Sequence, residues 1–147
     1  MILPFSDAYR KDLVQMMREF YHSPAVLSPV PDEHFDRTVD LVCQGTPFAA
    51  GHIMLQDEKP AGYALLAFTY SNEAGGMVLW LEEFYVRPDF RGKGLGTEYF
   101  QFLFREYDGK IARMRLEIEP ENEKALRLYE RMGLEKLPYE QLYRELQ

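Results

Sequence analysis

Apolar positions recur along the 147-residue chain with two different periods, which indicate where helices and strands lie. Spacings of three and four residues place side chains on one face of a helix. They predict four helices: 7–21, from Asp32 or Glu33 to about Cys43, 97–107, and one that begins at Asn122. Ser6 or Asp7 is the expected N-cap of the first helix, and Gly45 is expected to end the second.

Alternating or continuous short apolar runs predict the strands. These runs cover 1–4, 51–56, 61–70, 77–86 and 114–119, with tight turns at 57–60 and 71–76. Two tail segments, 134–137 and 141–146, are further strand candidates. The proline-containing stretch 22–31 reads as a connection. The resulting order, β-α-α-β-β-β-α-β-α-β-β, predicts one α+β domain over 1–147 with a mixed sheet.

Charge and cysteine content narrow the class of protein. Seventeen basic against twenty-four acidic residues give a net charge of −7, which argues against a nucleic-acid partner and suits attraction of cationic amines. No apolar stretch approaches the roughly 20 residues of a membrane span, and the N-terminus shows no secretory signal. Cys43 is the one cysteine, so no internal disulfide forms and a reducing cytoplasm fits best. We interpret Cys43 as a buried structural thiol.

Histidine and basic residues are further candidates for a metal or anion site. The three histidines, His22, His34 and His52, share no metal-ligand spacing, which predicts no metal site. Arg87, Arg91 and Lys93 form a local basic cluster in an acidic chain. Such a cluster suggests a specific anion site.

The six residues Arg91-Gly92-Lys93-Gly94-Leu95-Gly96 stand between a predicted strand and a predicted helix. Glycines allow backbone N–H groups to turn toward an anion, and a helix start adds unpaired donors and partial positive charge. The spacing fits neither the dinucleotide fingerprint nor the P-loop. An ordinary glycine-rich turn is the alternative reading.

The R-G-x-G-x-G spacing closely resembles the pyrophosphate loop of the GNAT (GCN5-related) N-acetyltransferases. A second segment, N-x-x-A-x-x-L-Y-x-x-x-G-[FL], matches at residues 122–134. The resemblance implies the acyl-CoA N-acyltransferase fold, a mostly antiparallel mixed sheet flanked by about four helices. It also implies acetyl-CoA as co-substrate, acetyl transfer to an amine, and direct attack without a covalent enzyme intermediate.

The resemblance also implies the site residues. Cofactor contacts are expected from Phe84, Tyr85, Val86, Arg91, Gly92, Lys93, Gly94, Leu95, Gly96, Thr97 and Asn122. The family's strand splays from its neighbour at this point, which would free backbone groups of the first three for the pantetheine arm. Tyr129 would donate a proton to the departing thiolate, although it could simply pack on its helix. Asn122 could cap the helix as well as touch the cofactor.

Glu82 and Glu83 follow each other on a predicted strand, so regular alternation sends them to opposite faces. It groups Glu82 with Phe84, and Glu83 with Leu81 and Tyr85. We expect Glu82 to bind the ammonium group of the acceptor or to relay its proton through water. Structural salt bridges from this pair, to Arg113 or Arg115, are the alternative.

Acceptor specificity in the family comes from the first two helices and their connection, here Glu19, Phe20, Tyr21, His22 and His34. The favoured function is acetyl transfer to a primary amine of a small molecule, such as a polyamine or an amino compound. The alternatives are a protein N-terminal or lysine acetyltransferase and a non-catalytic acyl-CoA sensor. A homodimer is left open, because family members often form one.

Overall fold

Four α-helices form in the computed structural model, which describes residues 1–26 and 28–147. They are α1 (Arg10–Tyr21), α2 (Glu33–Gln44), α3 (Leu95–Glu106) and α4 (Glu123–Arg131). Their apolar stripes face the sheet, as helical spacing predicts. The predicted connection 22–31 contains Leu27, which lies outside the described residues.

The start of the first helix differs from the prediction. A single 3₁₀ turn, Asp7–Tyr9, precedes α1, and Ser6 makes no capping hydrogen bond with its side chain. The Asp7 carboxylate instead accepts a 2.7 Å hydrogen bond from Arg10. Ser6 therefore takes the N-cap position of this 3₁₀ turn, as predicted, but its side chain does not make the capping hydrogen bond. Gly45 ends α2 as predicted, with a φ of 87°.

Five strands in the described residues pair in chain order into one sheet. They are β1 (Ile2–Pro4), β2 (Ala49–Gln56), β3 (Lys59–Ser71), β4 (Gly76–Val86) and β5 (Arg113–Leu116). The first four pair antiparallel, and β5 runs parallel to β4. The predicted mixed, mostly antiparallel sheet with four helices is confirmed.

Both faces of the sheet are covered by helices. One apolar cluster joins α1 and α2 to residues such as Tyr63 and Tyr85. The other joins α3 and α4 to residues such as Leu79 and Leu81. The sheet therefore separates an α1/α2 side from an α3/α4 side.

The turn between β2 and β3 is shorter than predicted. Only Asp57 and Glu58 lie between the strands, both with positive φ, and Gln56 pairs with Lys59. This is the two-residue geometry that matches the twist of a hairpin. Lys59 and Pro60 therefore belong to β3 and not to the turn.

The two strands proposed in the tail, 134–137 and 141–146, are wrong. Neither segment pairs with a described strand, and Leu142 is 97% exposed. The predicted strand 114–119 is also shorter, since β5 ends at Leu116. Strand propensity needs a neighbouring strand to pair with, and the alternating pattern alone does not supply one.

Candidate functional site

Strands β4 and β5 stop pairing after Leu81. Their ladder runs from Val78↔Arg113 to Leu81↔Leu116, whereas β4 continues to pair with β3 as far as Val86. Among the described residues, no strand covers the β5 side of residues 82–86. This five-residue segment therefore has one paired edge and one free edge.

Residue alternation in the β3–β4 ladder decides which backbone groups point to the free edge. The Arg87 N–H donates to the Ala61 carbonyl oxygen, so residues 61/87 and 63/85 are hydrogen-bonded pairs of an antiparallel ladder. The backbone groups of Phe84 and Val86 consequently point away from β3. The backbone groups of Tyr85 point toward β3, so of the three residues expected to present backbone groups at the free edge only Phe84 and Val86 do so.

A β-bulge lies at the start of this segment. Leu65 pairs with Glu83 and Leu66 with Leu81, which leaves Glu82 without a partner on β3. The extra residue shifts the alternation. Leu81 consequently packs on the α3/α4 side while Tyr85 packs on the α1/α2 side, so the predicted grouping of Leu81 with Glu83 and Tyr85 is wrong.

The Glu83 carboxylate is held by two phenols. The Tyr21 hydroxyl donates to Oε2 at 2.5 Å and the Tyr63 hydroxyl donates to Oε1 at 2.7 Å. Burial raises the pKa of Glu83, and the two hydrogen bonds only partly offset this effect. Glu83 therefore faces α1 and is already satisfied by its tyrosines.

Glu82, by contrast, is exposed. Partial desolvation raises its pKa, and the nearby carboxylates of Glu117 and Glu83 raise it further. The alternative of salt bridges to β5 does not hold within the described residues. Arg113 pairs with Glu73 at 2.7 Å, and the Arg115 guanidinium lies 4.4 Å from the Trp80 ring centroid.

Arg87 is tied to α1 and not to the glycine-rich loop. It donates to the Glu19 carboxylate from Nε at 3.2 Å and from Nη2 at 3.3 Å, and the Tyr85 hydroxyl donates to the same carboxylate. The expected anion site therefore rests on Arg91 and Lys93, and the charge of Arg87 is balanced by Glu19. Sequence reasoning missed this pair because its members lie 68 positions apart.

The glycine-rich loop leads from the free edge into α3. Gly92 and Gly94 have φ angles of 73° and 82°, a left-handed conformation that glycine adopts without strain. In the part of the chain that the structure describes, the backbone N–H groups of residues 92–97 donate to no backbone oxygen. The first helical bond runs from Glu98 N–H to Gly94 O. The loop thus presents a continuous row of free donors at a helix start.

The side chains next to these donors hold the loop against β4, Phe90 and α4. Leu95 is buried and anchors the start of α3. Arg91 Nε donates to the Val86 carbonyl oxygen at 2.8 Å, and the Lys93 ammonium lies 5.5 Å from the Phe90 ring centroid. A Cβ on Gly96 would lie 2.7 Å from Leu128 Cδ2, so glycine lets α4 pack closely against α3.

Helix α4 carries the second matched segment. The Asn122 side chain accepts a 3.4 Å hydrogen bond from the Ala125 N–H, which is the predicted N-cap. Tyr129 packs against Phe100 with a ring separation of 5.6 Å. Burial raises the pKa of Tyr129 to about 12.

The residues expected to set acceptor specificity separate into three environments. Glu19 is paired with Arg87, and Tyr21 with Glu83. Phe20 lies in the core, 7% exposed, whereas His22 and His34 are exposed. Cys43 is half-buried against the α1/α2 cluster, and burial raises its pKa.

Residues 1–26 and 28–147 contain neither a candidate metal site nor a helix suited to span a membrane. No group of three or more histidine, cysteine, aspartate or glutamate side chains is placed to hold a metal ion. No helix there has the length and apolar character needed to cross a bilayer.

Comparison with known proteins gives matches in sequence and in fold. The mouse (Mus musculus) thialysine N-epsilon-acetyltransferase is 36% identical over 83 residues, which cover 56% of this chain and 48% of that protein. The chain therefore spans about half the length of the curated relatives it matches.

Solved structures match over nearly the whole chain. The aminoglycoside N-acetyltransferase AAC(6')-Iy in complex with CoA has a TM-score of 0.81 at 19% identity, covering 99% of this chain and 94% of that one. A ribosomal-protein-alanine N-acetyltransferase from Brucella melitensis has a TM-score of 0.79 at 15% identity, covering 99% of each. At these identities the likeness concerns the fold.

A family model described as the acetyltransferase (GNAT) family matches residues 11–134. This range contains β2 to β5, the glycine-rich loop and the whole of α4. It spans most of the 147 residues. The chain therefore belongs to the GNAT acetyltransferase family, as the two sequence segments indicated.

Proposed function

We propose that this protein is an acetyl-CoA-dependent N-acetyltransferase that acetylates a primary amine of a small molecule through a ternary complex. The observation that carries the proposal is the continuity between two features. The free edge of β4 at residues 82–86 is followed, after a short 3₁₀ turn at Pro88–Phe90, by a loop of unpaired N–H donors at the start of α3. An elongated ligand with amides at one end and phosphates at the other fits that order.

The residues present fit acetyl-CoA in charge and in hydrogen-bonding capacity. The N–H groups of 92–97 and the partial positive charge at the start of α3 would hold the pyrophosphate, with help from Arg91 and Lys93. The Thr97 hydroxyl would add a donor. Phe84 and Val86 would pair through backbone groups with the pantetheine amides, and Asn122 would contact the same arm from α4.

The co-substrate supplies an acetyl group activated as a thioester. Tyr129 would keep its proton until the thiolate leaves, because a phenol with a pKa of about 12 is protonated at neutral pH. It would then donate that proton to the sulfur. General acid assistance of this kind contributes roughly 10²–10⁴-fold to the rate.

The acceptor must be an unprotonated amine when it attacks. Glu82 is exposed beside the free edge and has no described salt-bridge partner, so its carboxylate is available to bind the ammonium form or to take its proton through water. Glu83 has both oxygens engaged by phenols. We therefore keep Glu82 as the acceptor-side residue.

A small amine acceptor is favoured by the sequence relatives. They are named thialysine N-epsilon-acetyltransferases, after a small amino compound. A protein N-terminal or lysine acetyltransferase is the second candidate, because a ribosomal-protein-alanine N-acetyltransferase shares the fold. Cytoplasmic location and a homodimer stay predictions.

The test is release of free thiol from acetyl-CoA with three acceptor sets. They are small polyamines and amino compounds including thialysine, peptides with a free N-terminus, and peptides with an internal lysine. Turnover at least tenfold faster with a small amine supports the proposal. Faster turnover with peptides would replace it by the protein-acceptor reading, and binding of acetyl-CoA without turnover on any acceptor would favour a sensor.

A further inference from the structure

Arg87 is the first residue after β4, at the point where the chain turns toward the glycine-rich loop. Its N–H donates to the Ala61 carbonyl oxygen at 2.8 Å, and its own carbonyl oxygen accepts from the Phe90 N–H at 2.9 Å. Its guanidinium donates to the Pro60 carbonyl oxygen at 3.2 Å and, from two further nitrogens, to the Glu19 carboxylate. Both the backbone and the side chain of this residue are therefore fixed.

The loop that follows has few side-chain anchors of its own. Residues 88–94 are exposed, apart from the half-buried Phe90. The next buried side chain along the chain is Leu95, at the start of α3. The exposed stretch is therefore held mainly at its two ends, by Arg87 and by Leu95.

Tyr85 and Arg91 connect the ion pair of Arg87 to the loop itself. The Tyr85 hydroxyl donates to Glu19 Oε2 at 3.2 Å. The guanidinium carbon of Arg91 lies 5.7 Å from the Tyr85 ring centroid, and Arg91 Nε donates to the Val86 carbonyl oxygen at 2.8 Å. The first residue of the loop thus packs on a side chain that a carboxylate of α1 orients.

The Glu19–Arg87 pair has a geometry that charge alone would not supply. The two side chains are 24% and 29% exposed, so water and salt screen them less than a fully exposed pair. Two nitrogens of one planar guanidinium on one carboxylate fix direction as well as distance. A lysine carries one nitrogen on a flexible stem and cannot bind Glu19 twice and Pro60 at the same time. The position therefore depends on the shape of arginine.

We propose that Glu19 and Arg87 are positioning residues for the co-substrate, because they fix the end of β4 so that the N–H groups of 92–97 are ordered before acetyl-CoA binds. Donors that are already ordered lose less conformational freedom on binding, which strengthens binding. Neither side chain contacts acetyl-CoA, since the two charges are used by each other. This inference rests on the proposed acetyl-CoA site and extends it to residues of α1.

Replacement of Glu19 separates positioning from simple electrostatic attraction. Glu19→Gln removes a negative charge near a loop proposed to hold phosphates, so attraction alone predicts tighter binding of acetyl-CoA. Positioning predicts weaker binding, because the Arg87 guanidinium loses its charged partner. Arg87→Gln weakens binding under either explanation, so the sign of the Glu19→Gln effect is the deciding observation.

The first test is calorimetric titration of acetyl-CoA into these variants. Glu19→Gln should raise the dissociation constant about tenfold, which is equivalent to about 1.4 kcal/mol. The double variant Glu19→Gln/Arg87→Gln should bind no more weakly than Arg87→Gln, because both changes remove the same interaction. Arg87→Lys should be as weak as Arg87→Gln. Asp32→Asn, which breaks the 3.0 Å ion pair of Arg18 on α1 with the same change in charge, is the matched control and should bind like the parent.

Steady-state kinetics distinguish positioning from a general loss of structure. Glu19→Gln should raise the KM for acetyl-CoA, while kcat and the KM for the amine change by less than about twofold. A partly unfolded variant would instead lower the apparent kcat and leave both KM values unchanged. A rise in the KM for the amine alone would place Glu19 on the acceptor side and would overturn the proposal.

Hydrogen exchange of the ligand-free protein gives a readout without acetyl-CoA. The N–H groups of Arg87, Phe90 and Arg91 are hydrogen-bonded in the structure, and they should exchange faster in Glu19→Gln than in the parent. Unchanged exchange, equal or tighter binding by Glu19→Gln, or parent-like binding by Arg87→Lys would overturn this inference alone. A parent that binds no acetyl-CoA would overturn the proposed function, and this inference with it.

Discussion

Tyr21, the last residue of α1, donates a 2.5 Å hydrogen bond to Glu83 on β4, although 62 positions separate the two residues. Tyr63 on β3 donates a second hydrogen bond to the same carboxylate. The carboxylate therefore joins a helix end to two strands directly beside the bulge. This link holds the paired part of the segment 82–86 in place while its other edge stays free.

The buried carboxylate predicts a pH-dependent stability. The pKa of Glu83 is raised above its usual value of 4.5 in the folded protein, so the folded state binds this proton more tightly than the unfolded state does. The free energy of unfolding should then fall as the pH rises from about 4.5 through the raised pKa.

Urea unfolding of the parent and of Glu83→Gln checks this, since the variant cannot titrate at position 83. The parent should lose stability relative to the variant between pH 4.5 and pH 7, by about 1.4 kcal/mol for each unit of pKa difference. A constant difference between the two proteins across that range would show that the carboxyl is not perturbed by folding.

Replacement of Tyr129 tests the proposed proton donor. Tyr129→Phe removes the hydroxyl and keeps the ring that packs on Phe100. We expect kcat to fall by roughly 10²–10⁴-fold, with the dissociation constant for acetyl-CoA changed less than threefold. Tyr107→Phe, on a half-buried tyrosine that packs against Phe68, is the matched control and should keep full activity. Equal losses in both variants would point to packing alone.

Glu82→Gln tests the acceptor side. Without the carboxylate, the KM for the amine should rise at least tenfold while the KM for acetyl-CoA stays unchanged, because only the cationic substrate loses an ion-pairing partner. Asp108→Asn makes the same change in net charge beyond the far end of α3 and should leave both values unchanged. If the control raises the KM for the amine equally, general attraction by the acidic protein is responsible and Glu82 has no specific role.

Substitution of alanine for either of two glycines should lower the free energy of unfolding, by different amounts. A Cβ on Gly62 would meet the backbone oxygen of Tyr85, which cannot move without distorting β4. A Cβ on Gly96 would meet only the end of the Leu128 side chain, which can change its rotamer. Gly62→Ala should therefore cost at least the roughly 1–3 kcal/mol of an overpacked site, and Gly96→Ala less. Denaturant titration of both variants measures the order, and the reverse order would contradict the described packing.

The sequence predicted most of the fold because helical spacing and apolar alternation are local signals. Leu13, Met16, Met17 and Phe20, for example, are all buried on α1 as their spacing required. The glycine-rich loop was visible for the same reason, since the residues that shape it are consecutive. Cofactor contacts and catalytic roles remain predictions, because they depend on groups that meet a ligand.

The errors at the candidate site and in the C-terminal segment concern pairings between distant residues. The bulge at Glu82 breaks the alternation of β4, and nothing in the sequence of that strand marks it. In the sequence, Arg87 stands close to Arg91 and Lys93 and suggests a basic cluster, whereas in the fold α1 places Glu19 beside it. The segment 141–146 alternates like a strand, yet it pairs with no described strand and Leu142 is 97% exposed, because alternation alone does not supply a neighbouring strand.

Calorimetric titration of acetyl-CoA into the parent, Gly94→Glu and Gly109→Glu tests whether the free edge and the glycine-rich loop bind acetyl-CoA. Both glycines have positive φ and open space where a side chain would go, but Gly109 follows the far end of α3. We expect micromolar binding by the parent and by Gly109→Glu, and loss of binding in Gly94→Glu, since its carboxylate would oppose phosphate in the loop. Absence of binding by the parent, or equal binding by all three proteins, would contradict the assignment of the free edge and loop as the acetyl-CoA site.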